Sequence, residues 1–195
     1  MPLGAFKAAI MGVAGVSTGD VVLLSSQTAD GDDELDFSSG ITSTYGEYIF
    51  KFYNINAATD ATDFTFQVNA DGESGYNETI TSTAFRARHY EDDSVGELGI
   101  ETAQDQAQGT AYQVLLQGMN SDADGSCAGV LHVFNPSSTT YVTHWYSRVQ
   151  AMSDEPASRE MYMAGYINTT AAITDISFKM ASGNFDGKIK MWGVL

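Results

Sequence analysis

Apolar residues in this chain recur with a period of two, and no stretch sustains the 3.6-residue apolar period of a helix. In "DFTFQVNAD", Phe64, Phe66 and Val68 point one way and Thr65 and Gln67 the other. "DISFKMAS" sets Ile176, Phe178 and Met180 against Ser177 and Lys179. "GKIKMWGV" sets Ile189 and Met191 against Lys188, Lys190 and Trp192. Such alternation marks strands of an antiparallel sheet with one face on a core and the other in water.

The same reading predicts strands over 21–25, 47–54, 79–90, 111–117, 129–134, 139–149 and 160–167, roughly ten in all. The segments "ADGDDELD", "NADGESG", "NSDADG" and "GNFDG" supply turns through their Asp, Asn and Gly content. Residues 91–109 form the longest irregular stretch and are expected to hold a short helix or a projecting loop. No repeat or linker divides the 195 residues. The expected fold is therefore all-β: one antiparallel β-sandwich or jelly roll over 20–195, preceded by a short N-terminal arm, 1–19.

That arm, "MPLGAFKAAIMGVAGVSTG", imitates a weak secretory signal but is too short and glycine-rich to span a bilayer. It carries Leu3, Phe6, Ile10, Met11 and Val13 with only Lys7 charged. Apolar termini need something to lie against, so these residues are expected to dock on another subunit or a larger assembly.

Nine Lys and Arg face 25 Asp and Glu, a formal net charge of −16. Few cations are available to displace counterions from phosphates, which argues against nucleic acid and against anionic membranes as partners. A single cysteine, Cys127, excludes an intrachain disulfide and suits folding in a reducing cytosol.

Asn120, Asp122 and Asp124 occur at alternate positions before Gly125, which is how a calcium loop begins. An EF-hand would place a bidentate carboxylate at its twelfth position, where this chain has Leu131. The stretch is read as a turn and the three residues as a weak calcium candidate. His89, His132 and His144 lack the local spacing of a zinc site. No serine or cysteine sits in a nucleophile motif, and Asp32–Asp33 and Asp92–Asp93 fall in loop-like segments. We therefore expect no catalytic residue, no cofactor and no enzymatic activity. "HWYSR" places His144, Tyr146 and Arg148 on the face opposite Trp145, as a candidate surface contact for a subunit or a sugar.

Five segments together carry a resemblance: "LGAFKAAIMG" (3–12), "GEYIFKFYNINAATD" (46–60), "FRARHYEDDS" (85–94), "HVFNPSSTTYVTHW" (132–145) and "AGYINTTAAITDISFKMASGNFDGKIKMWGV" (164–194). The chain resembles small virion structural proteins of tailed bacteriophages, especially phages of marine bacteria. The motifs are strand-and-turn signatures, so they imply a fold and a lineage and transfer no site residues.

The resemblance implies a virion component assembled in the host bacterial cytoplasm. The acidic charge suits the outside of the particle, and the absence of heptads or long β-repeats argues against a fibre shaft. The expectation is a capsid decoration protein, self-associating as a trimer by analogy with capsid three-fold sites and contacting other virion proteins such as the major capsid protein. The alternative is a tail appendage or a lectin-like module binding a host surface glycan.

Overall fold

A computed structural model of the protein describes residues 20–195. Among these residues there is no helix, and thirteen strands pair antiparallel throughout. In chain order they are β1 Val21–Asp32, β2 Glu34–Phe37, β3 Glu47–Ala57, β4 Thr62–Ala70, β5 Ile80–Tyr90, β6 Gly96–Ile100 and β7 Ala107–Gly109. There follow β8 Gln113–Met119, β9 Cys127–Phe134, β10 Thr143–Met152, β11 Ala157–Ile167, β12 Ile173–Met180 and β13 Phe185–Val194. The larger sheet runs β1-β13-β3-β9-β10-β11-β5-β6, with β7 also on β5, and the smaller runs β2-β12-β4-β8. The two pack face to face as an antiparallel β-sandwich. The arm, with Leu3, Phe6, Ile10, Met11 and Val13, lies outside the described residues.

Alternation decides which side chains fill the space between the sheets. From β13 the inward residues are Ile189 and Met191, while Lys188 and Lys190 face out. On β10 they are Trp145, Ser147, Val149 and Ala151, with His144, Tyr146, Arg148 and Gln150 exposed. Phe178 of β12 anchors the core: Phe50 and Phe52 of the large sheet stand 5.3 and 5.4 Å from its ring. Burying each such side chain contributes about 1.5–3 kcal/mol before ordering entropy is counted.

Beyond the smaller sheet, the inner side of β5 and β11 changes from apolar to ionic. Arg88 pairs with Glu97 at 2.7 Å and with Glu155 at 2.8 Å. Arg159, only 4% exposed, reaches Glu155 at 2.9 Å and donates to the Gln117 carbonyl at 2.8 Å.

Three expectations need correction. Strand β4 is buried on both faces, not half-buried, with Thr65 and Gln67 as enclosed as Phe64 and Phe66. The reason is a covering segment: Gln67 Nε2 donates to the carbonyls of Glu78, Thr110 and Ala111. Ser177 of β12 is likewise buried. Residues 91–109 hold no helix, and within this mostly irregular stretch the short strands β6 and β7 pair on β5, whose edge offers them a ladder. Finally, the acidic segment read as a turn holds the end of β1 and the first three residues of β2.

Candidate functional site: the outer face of the large sheet

The outward residues of the large sheet fall into rows set by register. One row runs Lys190, Lys51, Val130, Arg148, Tyr162, Phe85 across six strands from β13 to β5. The adjoining row places Ile49 beside Trp192 on one side and beside His132 on the other, and His132 beside Tyr146. At about 4.8 Å per strand the six-strand row extends about 24 Å.

The rings on this face are locked against one another. His132 and Tyr146 stack with centroids 4.5 Å apart, and Phe85 and Tyr162 stack at 4.7 Å. Lys51 stands over the Trp192 ring at 5.6 Å and Lys190 over Tyr53 at 5.5 Å. Contacts of this kind hold the side chains in position at little further entropic cost on binding.

Two carboxylates beside these rows are engaged by side chains of the face. Glu47 Oε1 lies 2.5 Å from His132 Nδ1. Glu160 accepts from Arg148 Nε and from the Tyr162 hydroxyl. The Arg148 bond holds the Glu160 carboxyl below its usual range, and the same carboxylate raises Tyr162 above the ordinary phenol value. At neutral pH Glu160 is therefore a fixed anion that neutralises Arg148. Among the described residues no carboxylate lies within ion-pair distance of Lys51, Lys188 or Lys190.

The structure thus brings His144, Tyr146 and Arg148 together on one exposed strip, with Trp145 behind them in the core. The lysine half of the face was missed by sequence reasoning; its signal was the outward triplet Lys188, Lys190, Trp192. The three histidines are not brought together: His132 turns to Glu47, whereas His89 turns to Asp93 at 3.0 Å. No cluster of metal-ligating side chains occurs among the described residues.

Asn120, Asp122 and Asp124 lie in the connection from β8 to β9, closed by the Gly125 N–H donating to the Asp122 carbonyl at 2.9 Å. This turn carries the chain from the small sheet to the large one, so it is not a hairpin. Cys127 is buried at the start of β9, and that burial pushes its thiol pKa well up.

No protein-family model and no curated protein matches the chain. Among solved structures it is similar to the crystal structure of a marine PL-14 alginate lyase from Aplysia kurodai. The identity is 16% over 76% of this chain and 71% of that one, with a TM-score of 0.28. This corrects the expectation of no enzymatic activity: the matched structure is an enzyme, so catalysis is no longer set aside. A likeness at that TM-score transfers neither a reaction nor a site.

Proposed function

We propose that the chain is a structural protein on the outer surface of a bacteriophage virion, placed there as a capsid decoration protein. The observation that carries the reading is the charge layout. An excess of acids giving −16 opposes a seat against packaged DNA, and four cations, Lys51, Arg148, Lys188 and Lys190, stand together on one outward sheet face. The resemblance supports it as well, four of its five segments falling on strands of both sheets, from β3 to β13, and the fifth, 3–12, lying outside the described residues.

In this reading Leu3, Phe6, Ile10, Met11 and Val13 dock on a neighbouring copy of a trimer or on the major capsid protein. Removing residues 1–16 would leave the β-sheet circular dichroism spectrum unchanged and weaken oligomerisation or particle binding. A truncated chain that unfolds would contradict the docking role. Quantifying this chain in purified particles tests the placement: decoration requires copies in the hundreds, whereas a dozen or fewer would indicate a tail appendage.

A further inference from the structure

We propose that the outer face of the nine-stranded sheet binds an acidic polysaccharide lying across the strands, with sugar faces on the exposed rings and anionic groups on the lysines.

Charge is the first argument. In a chain of net charge −16, Lys51, Lys188 and Lys190 share one face, and none of them is in an ion pair among the described residues. The acids nearby are engaged locally: Glu47 hydrogen-bonds His132, Glu160 pairs with Arg148 and accepts from Tyr162, and Asp186 accepts from the Gly31 N–H. A polymer bearing one anion per sugar would meet three lysines that no described carboxylate pairs with, the acids Asp30 and Asp186 standing at the end of the β1–β13 ladder.

The backbone is shaped at the same place. Thr28, Tyr53, Asn54, Gly187, Lys188 and Lys190 line a cavity of about 370 Å3. Register breaks between Phe52 and Ile55 and between Asp186 and Lys188, where β3 meets its neighbours. Asn54 takes a left-handed φ of 49° there. Bulges of this sort re-aim side chains beside binding sites, and left-handed non-glycine backbone is retained where the surroundings impose it.

The rings supply the second half. Tyr146, 43% exposed, is backed by His132 at 4.5 Å, and the Phe85–Tyr162 pair stands beside it. Between them Thr83, Phe85, Tyr146 and Tyr162 border an apolar cavity of about 200 Å3. Flat, pre-stacked rings next to such a recess suit the C–H face of a sugar.

A protein partner would call for a dry apolar centre, whereas Lys51, His132 and Arg148 occupy the centre of this face. Nucleic acid would need a longer string of unopposed cations.

The full chain is titrated with polygalacturonate or dextran sulfate, with neutral dextran, and with a single-stranded oligonucleotide. At about 0.05 M salt an acidic polymer binds, binding weakens as salt is raised to about 0.5 M, and dextran and the oligonucleotide do not bind. K188Q/K190Q and Y146A each weaken binding about tenfold or more while remaining folded, and K179Q on the smaller sheet leaves it unchanged. Failure to bind either acidic polymer, equal binding of dextran or the oligonucleotide, or indifference to both variants would overturn the proposal. The measurement is made on free protein, so its result is separable from whether the chain belongs to a virion.

Discussion

Phe66 of β4 and Trp145 of β10 meet edge to face across the gap between the sheets, their ring centroids 5.0 Å apart. Around this contact the backbones draw close: a Cβ on Gly165 of β11 would come within 2.4 Å of the Thr81 carbonyl oxygen and 3.0 Å of the Trp145 ring. The Trp145 Nε1 is buried with no hydrogen-bond partner among the described residues. Trp145 therefore stabilises by volume and not by its polar atom. Trp145→Ala is expected to cost about 3–5 kcal/mol in urea denaturation, and Trp145→Phe less than about 1.5 kcal/mol. A Phe variant as unstable as the Ala variant would show that the indole N–H is satisfied and needed.

Arg159 and Arg148 make a second comparison. Arg159 is enclosed, donates to the Gln117 carbonyl and pairs with Glu155, so its removal strands buried acceptors. Arg159→Ala should cost about 3 kcal/mol or more. Arg148 lies on the open face, and Arg148→Ala should leave the melting temperature nearly unchanged. Equal effects in the two variants would refute this division.

Stability should respond to acid through Glu155. The Tyr90 hydroxyl bonded to it, with Arg159 and Arg88 nearby, holds its carboxyl below the ordinary value of 4.5. A carboxylate depressed in the folded state contributes stability above its unfolded value, and that contribution is lost as pH falls through the folded one. The melting-temperature gap between the native chain and Glu155→Gln should be largest near pH 7 and shrink as pH falls below the ordinary value of 4.5. A gap that widens on acidification would reverse the sign.

The sandwich was legible in the sequence because β10 and β13 alternate cleanly, one face apolar and the other polar. Strand β4 obeys the same pattern yet is buried on both sides, since Gln67 is capped by backbone from residues far along the chain. Strand β6 was hidden because its ladder comes from β5 and its Leu98 and Ile100 remain exposed. The strip of His144, Tyr146 and Arg148 could be read from one strand. Its continuation through His132 to Lys51 and Lys190 depends on cross-strand register, which local spacing does not encode.

Calcium removal should leave the fold intact. Asn56 Nδ2 already donates to the Asp122 and Gly125 carbonyls, tying the β8–β9 turn to β3 without an ion. A fall in melting temperature of more than about 10 °C on adding EDTA would mean that Asn120, Asp122 and Asp124 hold a stabilising cation.

The most direct test of the central claim is a cryo-electron microscopy map of the intact particle encoded with this chain. The account predicts density for the two-sheet sandwich on the outer capsid surface, at or around the three-fold positions, with the face bearing Tyr146 and Lys190 turned to solvent. Density lining the inner wall against DNA, or no copy of the chain in the particle, would contradict it.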